Sequence, residues 1–156
     1  MFFIILEQKV YAQNSGPDAL IIEEVIENIL QNNEFVVNMV TEDVVEAMNM
    51  TSAELPSDDD EFIFANLTPI DCDLIQTKRV KESKISFECK MIHYYTMPHP
   101  ENNGATMIVG EIVMMHFDDT ILLENFKINM ENYKPVSRLA GSNYSKIGEI
   151  FSIKRN

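Results

Sequence analysis

The chain has 156 residues, of which 46% are hydrophobic and 24% are charged, a composition typical of one globular domain with one core. Its net charge of -13 argues against nucleic acid or an anionic membrane as a partner, because either would repel it. The apolar start, Met1–Leu6, is too short to span a bilayer and has no basic residues before it. We therefore predict a buried strand there and no signal peptide.

Two helices are predicted early in the chain. Ser15–Asp18 is a typical helix start, and apolar residues at helical spacing follow it as far as Ile29. The segment Glu34–Val40 is rich in β-branched residues and predicts a strand. Thr41 is expected to cap a second, shorter helix that ends near Met48.

Residues 50 to 82 have weak periodicity and predict a long connection with short local elements. A connection of this length inside one domain is usually functional or packed against a neighbouring element. Its acidic run, Ser57–Glu61, is interpreted as a solvated loop, because it lacks the glycine and the distal glutamate of a calcium-binding loop.

Two long strands are predicted to form a hairpin. Lys84–Tyr95 alternates between apolar and polar residues, which places Glu88 on the polar face. Thr106–Asp119 is apolar at positions of both parities and predicts a strand buried on both faces. Asn103-Gly104 is the predicted turn signal between the two strands.

Three residues interrupt the apolar run of the second strand. Gly110 predicts a bulge or the close approach of another group. Glu111 needs a partner if the strand is buried, and His116 is either an acid or base near a site or a structural histidine. These residues fit a strand that borders a binding site, but the rim of an ordinary barrel is the simpler interpretation.

The last third of the chain predicts short elements. They are a strand at Ile121–Leu123, a helical turn at Asn129–Tyr133, a loop at Arg138–Tyr144 and a closing strand at Glu149–Ile153. Together with the earlier elements they predict one α+β domain over residues 1–156, built on a mainly antiparallel β-barrel.

The two cysteines, Cys72 and Cys89, form no CxxC pair and have no histidine at zinc spacing, so no metal site is predicted. Two free thiols in a chain without a secretion signal indicate a reducing, cytoplasmic setting.

Four motifs resemble, in their order and spacing, the flavin reductase-like family, whose members form FMN-binding split β-barrels. The resemblance covers residues 20 to 153. It implies non-covalent FMN, electron transfer from NAD(P)H to flavin or a small acceptor, and a homodimer. The motifs are Glu34–Asn38; Glu46–Ser52 with Asp60–Phe62; Arg79–Ser83 leading to Phe87–Cys89, Gly110-Glu111 and His116; and Arg138–Gly141 with Tyr144.

The chain also departs from the family pattern. The strands that usually precede the position of Met1 are absent, and Glu23–Val25 replaces a Lys-Asp-Thr triplet beside the flavin phosphate. This exchange removes a cation and adds repulsion toward an anion. One branch of the family has a histidine shortly before the Gly-Glu strand, and this histidine is missing from the corresponding segment, Asn103–Ala105. An Arg-Leu-Gly-Gly motif is kept as Arg-Leu-Ala-Gly at Arg138–Gly141. Three hypotheses follow: a flavin-dependent oxidoreductase, a truncated non-enzymatic member that dimerises without flavin, and a natural chain longer than this sequence.

The resemblance assigns cofactor binding to Asn38, Arg138, Gly141 and Tyr144 and names no catalytic side chain, because the flavin carries the redox chemistry. Arg138 suits a phosphate or carboxylate, but a salt bridge in so acidic a protein is an equal alternative. Tyr144 can stack on a flavin ring or pack at an interface. Asn38 can bond a cofactor, although satisfying the barrel backbone is its default role.

Overall fold

The structure of the protein is a computed structural model that describes residues 2–7, 17–53, 60–99, 102–139 and 141–154. None of the helices in these ranges is both long and apolar enough to cross a membrane. The helices are α1 (Pro17–Asn32), α2 (Val45–Met50), α3 (Glu61–Phe64) and α4 (Met130–Tyr133). The strands are β1 (Phe2–Glu7), β2 (Glu34–Asn38), β3 (Pro69–Ile70), β4 (Arg79–Val80), β5 (Ile85–His99), β6 (Asn102–Phe117), β7 (Val136–Arg138) and β8 (Tyr144–Lys146).

The main sheet has four antiparallel strands in the order β1-β6-β5-β2. Two small antiparallel pairs, β3 with β4 and β7 with β8, complete the strands of the described residues. This arrangement confirms the predicted α+β class with mainly antiparallel pairing and two early helices. It also confirms a strand at the start of the chain.

The hydrophobic core lies on one face of the main sheet, where α1 and the segment around α4 cover it. The ring of Phe35 on β2 reaches across β5 to Gly110 on β6, so that a Cβ on this glycine would lie 2.6 Å from the ring atom Cζ. The group close to Gly110 is thus an aromatic side chain and neither a backbone nor a ligand, and the register shift between Met91 and His93, opposite this glycine, agrees with the predicted bulge. The buried cluster contains Ile29, Phe35, Ile85, Phe87, Cys89, Ile108, Ile121 and Tyr133.

The predicted burial of β6 holds for only part of the strand. Both of its faces are buried or half-buried from Thr106 to Gly110, but Glu111 is exposed. The expectation of a buried partner for Glu111 is therefore wrong. The turn prediction is also wrong, because Asn103-Gly104 lies inside β6, which begins at Asn102.

Several boundaries differ from the sequence prediction. Helix α2 begins at Val45, because Thr41 instead starts a turn in which the Val44 amide donates to the Thr41 carbonyl over 3.1 Å. The segment at Ile121–Leu123 is not a strand, since a 3-10 turn covers Asp119–Ile121.

The helical turn near Asn129 is confirmed as α4, whose first amides the Asn129 side chain caps. The strand predicted at Glu149–Ile153 is wrong. Residues 147–154 are irregular, and the apolar side chains of Ile150, Phe151 and Ile153 are exposed.

Candidate functional site

The hairpin formed by β7 and β8 brings three of the four predicted cofactor residues together. Arg138 and Tyr144 are direct cross-strand partners, so their side chains lie on the same face of the hairpin. The loop between them is closed by the Leu139 amide, which donates to the Asn143 carbonyl over 2.8 Å. Gly141 stands in this loop with φ of +66° and open space where a Cβ would be. Ala140 lies outside the described residues.

The electrostatics of this hairpin favour an anion. Arg138 is exposed, and no carboxylate of the described residues forms an ion pair with it. The salt-bridge alternative for Arg138 is thus not realised within the described part of the chain. A free guanidinium opposite a half-buried tyrosine suits a ligand with a phosphate or carboxylate and a planar apolar group.

The hairpin is attached to the chain segment that follows β2. The Val136 amide donates to the Val40 carbonyl over 3.2 Å, and Thr41 bridges to Pro135. Lys146 and Glu42 add an ion pair with 2.6 Å between Nζ and Oε2. These contacts fix the hairpin beside the end of β2, the strand that carries Asn38.

Asn38 belongs to a polar row on the opposite face of the main sheet from the core. It is paired with Ser86 on β5, which in turn is paired with His116 on β6. The Oδ1 atom of Asn38 accepts from Ser86 Oγ over 2.9 Å and from the Val80 amide over 3.1 Å. The side-chain oxygen of Asn38 is therefore used in hydrogen bonds within the fold, and its Nδ2 group is the donor that a ligand could use.

The same polar face contains a fully buried carboxylate, Glu88, with a relative exposure of 0%. Its Oε1 atom accepts from the Asp73 amide over 2.7 Å and lies 2.6 Å from His116 Nε2. Its Oε2 atom accepts from the Leu74 amide over 2.8 Å. The Glu88 charge also acts on the nearby Cys72 thiol.

These contacts determine the ionisation of Glu88 and Cys72. Burial by itself would raise the pKa of Glu88, but the bonds from Asp73, His116 and Leu74 outweigh it and hold this pKa below its ordinary value of 4.5. Burial and the neighbouring Glu88 charge raise the pKa of the Cys72 thiol to about 11. Glu88 is thus ionised, and Cys72 is an unreactive thiol at neutral pH.

One possible metal-ligand atom from each of Asp73, Glu88 and His116 lies within 4.8 Å of the other two, close enough to surround a metal ion. However, an ionised carboxylate offers about four lone-pair positions. In Glu88 three of these positions are taken by the Asp73 amide, the Leu74 amide and the His116 ring. The arrangement is better suited to organising the protein than to binding a metal.

Residues 71–78 join β3 to β4 and cross this polar face; we call them the strap. Glu34 on β2 anchors the second half of the strap, because its Oε1 atom accepts from the Gln76 and Thr77 amides over 2.7 and 2.8 Å. Glu88 anchors the first half through Asp73 and Leu74. This part of the long connection predicted at residues 50 to 82 is therefore packed against the sheet.

Sequence reasoning did not identify Glu88 and the strap. Strand alternation placed Glu88 on a polar face, and a polar face is ordinarily solvated. The only local signal was the alternating run Ile85–Cys89, whose polar residues can serve as acceptors for the long connection that precedes it. Nothing in the spacing of Glu34 and Glu88 indicates that both bind the same segment.

Comparisons with known proteins agree on the family. The family model described as the flavin reductase like domain matches residues 22–134. An uncharacterized protein of Aquifex aeolicus is 39% identical over 132 residues, which are 85% of this chain and 65% of that protein. The chain spans 58 to 65% of the length of the curated relatives it matches.

Solved structures agree on the fold. Nitrilotriacetate monooxygenase component B from Bacillus cereus is 30% identical with a TM-score of 0.80, covering 97% of this chain and 70% of that one. A protein of Shewanella frigidimarina with a split barrel domain of the flavin reductase kind is 22% identical with a TM-score of 0.78, covering 99% and 70%. The fold is therefore a split barrel of this kind.

Proposed function

Because the chain belongs to the flavin reductase-like domain family, we propose that it binds FMN non-covalently and serves electron transfer from NAD(P)H to flavin or a small acceptor. The observation that carries the proposal is the family match over residues 22–134, together with the similarity to a component of nitrilotriacetate monooxygenase. We further propose that the protein is a cytoplasmic homodimer.

The proposed FMN site is the β7–β8 hairpin. The guanidinium of Arg138 suits the ribityl phosphate, since it is exposed and has no ion pair among the described residues. The ring of Tyr144, its cross-strand partner, suits the edge or face of the isoalloxazine. Gly141 adds no side chain at its position in the loop. The side-chain amide of Asn38 supplies a hydrogen-bond donor near the base of the hairpin.

FMN, when bound, would supply the hydride and electron transfer chemistry. The residues of this chain would bind its phosphate, orient its ring and limit the access of water. No side chain here is proposed as a nucleophile or as a general acid or base.

Flavin titration tests this proposal directly. Purified protein is expected to quench FMN fluorescence at micromolar flavin, and NADH consumption in the presence of protein and FMN is expected to exceed that with FMN alone. Titration with riboflavin, which lacks the phosphate, serves as the comparison. Absence of FMN quenching at these concentrations would contradict the proposal.

The second candidate function is a domain that dimerises without binding flavin. It is favoured by the exposed apolar side chains of residues 147–154, because contiguous exposed apolar residues mark association surfaces. Light scattering separates the candidates when combined with the titration. A dimer that leaves FMN fluorescence unchanged supports the second candidate, and a dimer that quenches it supports the first.

A further inference from the structure

The strap is held on the sheet by two carboxylates of very different exposure. Glu34 accepts the Gln76 and Thr77 amides at a partly exposed position. Glu88 accepts the Asp73 and Leu74 amides at a position without solvent exposure. Water can replace Glu34 as an acceptor, but it has no access to Glu88 in the closed arrangement.

The contacts of Glu88 require its negative charge. An ionised carboxylate only accepts hydrogen bonds, whereas a protonated carboxyl or an amide must also donate. Two of the three groups that bond to Glu88 are backbone amides, of Asp73 and Leu74, which cannot become acceptors. Replacing Glu88 by glutamine therefore sets a donor against a donor and leaves at least one of these amides without its partner, and protonation removes the charge that strengthens both bonds.

The other titratable groups around Glu88 do not compensate for such a loss. His116 approaches from β6, and Cys72 and Asp73 approach from the strap itself. Arg79 on β4 interacts with Cys72, and its buried Nε atom has no hydrogen-bond partner. At the ends of the strap, Lys78 and Asp71 form an exposed ion pair.

We propose that the strap is a charge-dependent latch: it stays closed on the sheet while Glu88 is ionised, and it opens locally, ahead of the rest of the domain, when this carboxyl group is neutralised. Opening would separate Cys72 from Glu88 and from the sheet. The thiol, which the closed strap keeps protonated, would then ionise and react more readily. The inference does not depend on flavin binding.

The test compares Glu88→Gln with Glu111→Gln, the same substitution at an exposed glutamate on the same face of the hairpin. Two measurements are made at neutral to mildly alkaline pH: hydrogen exchange of the strap amides, and iodoacetamide alkylation of Cys72 and Cys89 resolved by mass spectrometry. Cys89 has no exposure and reports on opening of the core.

In Glu88→Gln, exchange of the Asp73 and Leu74 amides is expected to accelerate at least tenfold, and Cys72 alkylation is expected to rise by ten- to a hundredfold. The upper limit follows from a fall of the Cys72 pKa from about 11 toward its ordinary value of 9.0, which raises the thiolate fraction at neutral pH by about a hundredfold. The alkylation of Cys89 and the exchange rates of the amides that pair β5 with β6 should be the same as in the wild type. In Glu111→Gln, both measurements should give wild-type values throughout.

Two outcomes would overturn the latch. One is unchanged exchange at Asp73 and Leu74 in Glu88→Gln; the other is equal acceleration at Cys72 and Cys89, which would mean global opening. If Glu88→Gln does not fold, acidification of the wild type decides instead. On acidification, the latch requires the strap amides to lose protection from exchange at a higher pH than the amides of β5 and β6. The same order is required in Asp71→Asn, which lacks the ion pair to Lys78, so that loss of this ion pair cannot account for the opening.

Discussion

The ring of Phe35 lies directly over Gly110, two strands away, and passes over Cys89 on the strand between them. This contact joins β2 to β6 across the core face and leaves no room for a side chain at position 110. It also gives a structural reason for the glycine that interrupts the apolar run of β6.

Gly110→Ala is expected to destabilise the domain by about 1–3 kcal/mol, because its Cβ would come within 2.6 Å of a ring that is itself buried. Gly148→Ala is the control, since nothing lies within 4 Å of the Cβ that it adds. Urea denaturation of both variants measures the difference. Equal midpoints for the two variants would refute the packing argument, and Phe35→Leu should reduce the cost of Gly110→Ala.

The buried carboxylate predicts a pH dependence of stability. The pKa of Glu88 is depressed in the folded state, so its contribution is fully present above its ordinary value of 4.5 and is lost as the pH falls through the folded pKa. We expect Glu88→Gln to lower the free energy of unfolding by about 1–3 kcal/mol at neutral pH. The gap between wild type and variant should stay constant from neutral pH to about pH 6 and close below 4.5. A gap that widens in acid would contradict this assignment.

The end of α1 depends on a left-handed residue. Asn33 has φ of 57°, its amide donates to the Ile29 carbonyl over 2.8 Å, and its carbonyl accepts from the Met91 amide over 2.9 Å. Asn33→Ala should cost about 1 kcal/mol, whereas Asn33→Gly should be nearly neutral, because glycine tolerates this conformation. Thermal or urea denaturation of the two variants measures this difference. If only the Asn33 side chain mattered, and not its backbone conformation, both variants would lose the same stability.

The proposed phosphate contact of Arg138 predicts a selective loss of affinity. Arg138→Gln is expected to raise the Kd for FMN by about ten- to a hundredfold, because a charged hydrogen bond is worth about 1.5–3 kcal/mol. The Kd for riboflavin should change little. Lys127→Gln, an exposed cation outside the hairpin, is the control. If both flavins are affected equally, Arg138 shapes the hairpin and does not bind the phosphate.

The sequence predicted the larger elements because their signals are local. The alternation of β5, the β-branched residues of Glu34–Asn38 and the cap at Asn129 each depend on near neighbours in the chain. The order of motifs along the chain was enough to indicate the family. Boundaries were weaker, since Thr41 has the chemistry of a cap but starts a turn before α2.

The tertiary structure decided which polar residues matter. Glu111 and Glu88 lie on neighbouring strands and on the same face of the sheet, yet only Glu88 is buried, because the strap crosses the sheet over Glu88 and leaves Glu111 exposed. The convergence of Glu34 and Glu88 on one connection is a long-range contact. Sequence patterns report the periodicity of single elements, and they carry no information on which distant segment will cover a given face.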